Sequence, residues 1–471
     1  MPSSLLLGPI LGALSHQSAK IWARADGPAR LYGWLADRND LANARLVGVT
    51  DLLPANGYAG VLPLHDLQPD TPYSYAVSLS DSPPPPDRFY PFRTFPPPGQ
   101  RQSFAFAFGS CYLPPDEHGG QTFDYLRRLI ETEDLRFGLF LGDQIYADAA
   151  HGNGLGRVAV TLDDYRAVYA HTWSHPAIRE LLPRLPLFMT LDDHEVDNDW
   201  HWRDPSRQWA DIPITDTLLR LIKGYPPQER NLFPDRVRAA LKAYEEHQMM
   251  HAPDLLIPFH TDALGEVIFQ PHDPASFAYA FYVGAAAFFM LDTRTMRVGP
   301  PYRILLGEGQ WRALFEWLDN VKDNYPVKFL VSSCSLLHPF FFDIAHDRWS
   351  GFPAERERLL EFLARHEIEG VYILAGDLHS SHAVTAELRS PTGRHIPIAE
   401  FCASPFEQRS VWLSFGYLPI RSPWLSQQRR HFYRAFPNVG IVHVDFEGPK
   451  PKVTFTLHYH AKGWQTVSLT A

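Results

Sequence analysis

Repeatedly along this chain, a short and almost wholly apolar run breaks off at residue types that bind metals. SFAFAFGS stops at Cys111, LFLG at Asp143 with Tyr146 three residues on, and LPLFMTL at Asp192, Asp193, His194 and Glu195. FFML stops at Asp292 and Arg294, and VYILAG at Asp377 and His379. Runs that are apolar throughout, rather than alternating, belong to strands covered on both faces. Between them lie stretches of helical period: TFDYLRRLIET, GQWRALFEWLDNV and ERERLLEFLARHE. The alternation predicts an α/β fold with helices over the sheet. Ligands of open α/β sheets bind beyond the carboxyl ends of the strands, so these end residues should meet at one point. Asp377 and His379 are two apart on extended chain and should face the same side.

The first part of the chain reads differently. Through residue 97, short runs such as AKIWARA, ARLYGWLA, AGVLPLHDL and PYSYAVSL are separated by Gly, Pro, Asp and Asn turn signals. That pattern predicts an N-terminal antiparallel β-sandwich over 1–97. The stretch DSPPPPDRFYPFRTFPPPGQ is too rich in proline for a central strand, and its tail marks a domain boundary. The second domain then spans 103–471, with a polar, Trp-bearing insertion at 196–235. Within it, Trp200, Trp202 and Trp209 are expected to pack in the insertion itself, the alternative being that they line the substrate cleft. A helix is expected over 235–250, and VGIVHVDFEG with KVTFTLHYHA is expected to close the chain as a hairpin.

Crowding several carboxylates beside an apolar sheet is costly unless cations neutralise them. A thiolate, a phenolate and an imidazole suit a transition ion such as iron. A neighbouring carboxylate-rich position suits calcium, manganese or magnesium. Two ions bridged by a carboxylate can activate water and clamp a phosphoryl group. Taken singly, each residue has a plainer reading. Cys111 could be a small buried hydrophobe, Tyr146 a core aromatic, and Arg294 a structural partner of Asp292. Asp192 could brace its loop while Asp193 binds metal. Glu195 and Asp197 read as supports, and Asp148 as a support or a surface residue. His382 follows the last motif and reads as a surface histidine, or at closest a neighbour of the ligands.

The formal charge of -10 carries no basic stripe, which speaks against nucleic acid as a main partner. Three cysteines cannot make a disulfide framework and leave a thiol free, as in a reducing compartment. No run approaches the roughly 18 apolar residues of a membrane span. The opening MPSSLLLGPILGALSHQSAKIW lacks a basic region and reads as a first strand, so a cytoplasmic location is expected. An exported form is expected if a leader precedes the sequence. Nothing in the chain specifies an oligomeric state.

The motifs FGSC, LGDQIYAD, TLDDHEVDNDW, LDTR and AGDLHSSH occur in order. On them the chain resembles the PhoD-like alkaline phosphatases, a branch of the calcineurin-like metallophosphoesterase superfamily. The opening GPILGALSHQSAKIWARAD is similar to that family's N-terminal domain. The resemblance implies a two-sheet β core flanked by helices. It implies a ferric ion held partly by Cys111 and Tyr146, and calcium held by acidic residues and substrate phosphate. Asp143 would bridge the metals, Asp193 would stand where relatives place a metal-binding Asn, and Asp377 and His379 would close the site. His194 would serve near the leaving group and Arg294 on phosphate. Asp192, Glu195, Ser335 and His382 are the candidates for bracing the ligands, although KFLVSSCSLLHPF departs from the family pattern around Ser335 and His338. The implied reaction is hydrolysis of a phosphate mono- or diester by a metal-bound hydroxide. A phospholipase D-like or nucleotide phosphodiesterase would use the same site. A scaffold with a decayed site is the reading of another class, and no ligand position here carries Ala, Leu or Gly.

Overall fold

The computed structural model describes residues 3–114, 120–262, 267–270, 274–338, 347–410 and 417–471. The aromatic run Phe340 to Phe342, expected to help shape substrate choice, lies outside them.

The turn-punctuated opening forms two antiparallel sheets. One joins Leu5–Gly12, Ala19–Ala25 and Ala59–Leu64. The other runs in the order Arg45–Leu52, Ala29–Asp37, Pro72–Ser78 and Tyr90–Arg93. The proline-rich stretch thus supplies an edge strand, where a missing N–H costs no ladder bond. Phe95 is fully buried and meets Phe137 at 5.4 Å, inside the core of the second part of the chain. Trp22 meets Trp173 edge to face at 5.9 Å and donates from its indole to the Glu246 carbonyl. One apolar cluster runs unbroken from Leu7 to Tyr459. We therefore propose a covalent boundary within 97–103 between two modules that share a core.

The rest of the chain builds a two-sheet core. Phe104–Gly109, Leu135–Phe140 and Leu187–Met189 run parallel in a six-stranded sheet. Ala286–Met290, Val327–Val331, Val371–Ala375 and His395–Cys402 run parallel in an eight-stranded sheet. Alternation along the strands decides what each sheet face does. Phe288 and Phe329 turn toward the first sheet, meeting Phe106 at 5.5 and 5.3 Å. Phe289 and Leu330, one residue on, turn away into a second cluster with Trp311, Leu314 and Leu360. Those come from the helices Gly307–Val321 and Pro353–Arg365. The closing hairpin gains a third strand, Trp464–Thr470, and its first strand Asn438–Asp445 pairs antiparallel with Phe104–Gly109. The helix expected at 235–250 is Pro234–Tyr244, continued by a wider turn over Glu245–Met249. The insertion is more ordered than its polar sequence suggests. It holds a small hairpin, His201–Trp202 with Ala210–Asp211, and the helix Ile214–Ile222. Trp200 and Trp202 are buried there, whereas Trp209 is 59% exposed. No helix among the described residues is long and apolar enough to cross a membrane.

The aromatic layer between the sheets sets the spacing of everything at their carboxyl ends. Phe106→Ala should lower unfolding free energy by about 3–5 kcal/mol. A denaturant midpoint within error of the wild type would show that this layer does not hold the sheets together.

Candidate metal centre

The carboxyl ends of the parallel strands from both sheets do meet. Cys111 follows Phe104–Gly109, Asp143 follows Leu135–Phe140, and Asp192 and Asp193 follow Leu187–Met189. Asp377 and His379 follow Val371–Ala375. Sharp turns bring the side chains inward. Cys111, Asp143, Asp377 and His379 all have left-handed φ, between 47° and 66°. Non-glycine residues held in that region store strain, and such strain gathers where function requires it. Gly142 has φ +90°, and a Cβ there would lie 2.2 Å from the Cβ of Asp192. Only glycine lets these two strand ends pass so closely.

A softer pole of the site gathers around Cys111. Its thiol lies 3.4 Å from Asp143 Oδ2 and accepts from Ser404 Oγ at 3.3 Å. Tyr146 donates to Asp143 Oδ2 at 3.3 Å and lies 2.9 Å from His379 Nε2. Ligand atoms of Cys111, Asp143 and His379 all lie within 4.8 Å of one another. A harder pole adjoins it, where Asp192, Asp193 and Asp377 meet within the same distance. Asp193 also joins Asp199 and Asp347, and separately Asp143 and His194. No motif points to Asp347, which stands alone between them. Asp199 lay inside TLDDHEVDNDW, but loop spacing does not tell which way a side chain turns.

The cluster is deeply buried, and its electrostatics follow from that. Burial first, then Cys111 and the neighbouring carboxylates, raise Asp143 well above the usual carboxylate range. Asp192 is raised by burial against the lowering pull of Arg294. Burial and then Asp377 push the Cys111 thiol up to about 12. Asp377 rises to about 6, chiefly through burial. Asp192 Oδ2 and Asp193 Oδ1 are buried with no hydrogen-bond partner. Buried carboxylate oxygens without hydrogen bonds, beside acids that repel one another, are the arrangement cations make tolerable. The residues present therefore fit bound metal, with Cys111, Asp143 and His379 grouped at one place and Asp192, Asp193 and Asp377 at another.

The surrounding residues hold these groups in place. Glu195 accepts from the backbone N–H groups of Asp143, Gln144 and Asp192 at 3.0, 2.7 and 3.1 Å, tying two strand ends together. His194 Nδ1 lies 2.7 Å from Asp148 Oδ1, and its ring lies over Tyr146 with centroids 4.1 Å apart. Arg294 is fully buried and paired with Asp192 and Asp347, beneath the carboxylates. Its backbone N–H, not its guanidinium, bonds Asp292, at 3.0 Å. Arg348, whose Nε donates to Asp377 Oδ2 at 2.6 Å, keeps 18% of its side chain exposed. Ser335 and His382 meet elsewhere. Both bond the buried Glu400, at 2.5 and 2.9 Å, and His382 stacks on His338 at 4.3 Å. His382 lies on the strand Ser381–Arg389 and is fully buried, where a surface loop was expected. Its strand is flanked by His395–Cys402 on one side and Leu425–Arg434 on the other, so it lies inside the sheet.

The model of the family described as PhoD-like phosphatase matches residues 104–454. Alkaline phosphatase D of Bacillus subtilis (strain 168) is 28% identical over 329 residues, 62% of this chain and 48% of that protein. The match thus spans about half the length of that relative. A solved structure of PhoD superposes with TM-score 0.72 at 21% identity, covering 99% of this chain and 90% of the other. A purple acid phosphatase from yellow lupin seeds superposes with TM-score 0.58 at 13% identity, covering 98% and 73%. Both likenesses establish the fold.

Because Gly142 has no room for a side chain, Gly142→Ala should cost more than about 1 kcal/mol of stability and deplete bound metal. Wild-type stability and metal content in that variant would show that the approach of Gly142 to Asp192 is not required.

Proposed function

The chain belongs to the PhoD-like phosphatase family, and from that premise we propose that it hydrolyses phosphate esters at the Cys111–Asp143–Asp377 cluster in a metal-dependent reaction. The observation that carries this reading is the buried meeting of a thiol, a phenol, an imidazole and several carboxylates, with carboxylate oxygens left unpartnered. The soft pole favours ferric iron on Cys111, Asp143, Tyr146 and His379. The hard pole favours calcium, with manganese or magnesium as substitutes, on Asp143, Asp192, Asp193 and Asp377. Bound there, cations would neutralise the carboxylates, polarise the phosphoryl oxygens and make water a better nucleophile.

The chain's own residues divide the remaining tasks. His194 is fixed by Asp148 through Nδ1, which leaves Nε2 to serve the leaving oxygen with a proton. Arg348 is the partly exposed guanidinium beside Asp377, and its fork suits two phosphate oxygens. Arg294 was expected in that role. Its complete burial and its carboxylate partners favour it instead as the residue that positions Asp192 and Asp347. A diester carries a second ester group and less negative charge than a monoester, so a panel of p-nitrophenyl mono- and diesters separates the two.

Cys111→Ala and Tyr146→Phe should each lose iron and its visible absorption while remaining folded by circular dichroism, with a melting temperature lowered by the loss of the metal. Iron retained in both would remove these residues from the ligand set. Arg348→Ala should lower kcat/KM about a hundredfold, the order expected for removing one donor to transition-state charge, with metal content unchanged. Arg294→Lys should instead deplete metal along with activity. If Arg348→Ala turns over as the wild type does, the phosphate contact lies elsewhere. Chelation should abolish hydrolysis, and re-addition of iron with calcium should restore it; activity that survives complete removal of metal would overturn the reading.

A further inference from the structure

The helix Ile214–Ile222 in the insertion is built inside out. Asp216 and Arg220, one turn apart on the same side, face the protein. Arg220 is the buried residue of this helix, and it donates to both oxygens of Asp197 at 2.8 and 2.6 Å. Asp216 accepts from Asn198 Nδ2 at 2.8 Å. The opposite side carries Ile214, Leu218 and Ile222 at spacings of four, with Leu219 and Leu221 beside them. They are 75, 50, 82, 49 and 51% exposed. A surface helix ordinarily does the reverse. The orientation is also locked. Rolling the apolar side inward would withdraw Arg220 from Asp197, a fully buried carboxylate, at heavy cost.

We infer that this apolar side is a docking surface for a zwitterionic phospholipid bilayer, seating the metal centre over phosphate esters carried at that surface. The inference rests on the proposed hydrolysis and narrows its substrate to esters presented by lipid. A stable protein interface needs about 20–30 residues a side. It draws most of its energy from Trp, Tyr and Arg, with Leu under-represented. This patch is a narrow stripe of Leu and Ile with no charged side chain among them. Such a stripe suits acyl chains, which require no matching shape and no hydrogen-bond partners. A chain of formal charge -10 does not gain from anionic headgroups, which favours a zwitterionic surface. The inward side links the helix to the chemistry. Arg220 Nη2 lies 3.9 Å from Asp148, the residue that holds His194. Trp209, a short way upstream and 59% exposed, is of the type that settles at headgroup level.

The test uses the whole metal-loaded protein and phosphatidylcholine vesicles. The wild type should float with the vesicles, and high salt should not release it. The triple variant Leu218→Gln, Leu221→Gln, Ile222→Gln keeps good helix formers on the surface. It should partition about tenfold or more less strongly, while its turnover of soluble bis-p-nitrophenyl phosphate stays at the wild-type level. Two results overturn the docking surface: a wild type that hydrolyses the soluble ester but never floats, or a wild-type dimer that the triple variant dissociates, with no vesicle binding by either. Flotation without hydrolysis of any ester would instead overturn the proposed reaction, and with it the lipid-borne substrate, leaving the docking surface standing.

Discussion

Mutual repulsion among buried carboxylates is the constraint around which this protein is arranged. Asp143, Asp192, Asp193 and Asp377 lie close together at the ends of two sheets, where water is scarce. Arg294 and Arg348 offset part of that charge, through Asp192, Asp347 and Asp377. Asp192 Oδ2 and Asp193 Oδ1 are left without a hydrogen bond, the latter with only the Arg294 guanidinium at 3.8 Å. Such a cluster persists only if the surrounding fold is rigid and cations complete it.

The fold supplies that rigidity from the inside outward. Aromatic rings from both sheets lock face to edge between them, as where Phe106 meets Phe288 and Phe329. The strand ends then leave the core at fixed separations. Gly142 lets two of those ends touch, and Glu195 binds three of their backbone N–H groups. Left-handed turns at Cys111, Asp143, Asp377 and His379 aim the ligands, at a cost in strain that the packed core sustains. Outside this shell, Asp197 gathers Arg220 and Arg236, and so fastens the insertion beside the histidine at the site.

Much of this was legible in the amino-acid sequence, for a physical reason. A covered strand must be apolar throughout, so the first polar residue after it is conspicuous, and Cys111, Asp143 and Asp377 announce themselves that way. The residues that escaped notice lack such a frame. Asp347 sits outside every motif, and Glu400 lies within a strand, where a lone acid reads as solvent-facing. Arg294 follows a strand as the others do, yet chain order does not reveal that its guanidinium folds back under the carboxylates. Periodicity located the apolar stripe of Gly307–Val321, which faces the sheet, whereas the helix Ile214–Ile222, whose stripe faces outward, lies in the insertion expected to be polar. The pairing of Asn438–Asp445 with Phe104–Gly109 joins the two ends of a long stretch of chain, and no local signal encodes it.

The central claim is that cations complete this cluster through both its soft and its hard residues. X-ray absorption at the iron K-edge of the purified protein tests it most directly. The account predicts bound iron with a sulfur scatterer from Cys111 among oxygen and nitrogen neighbours. Protein that carries no iron, or iron surrounded by oxygen and nitrogen alone, would contradict it.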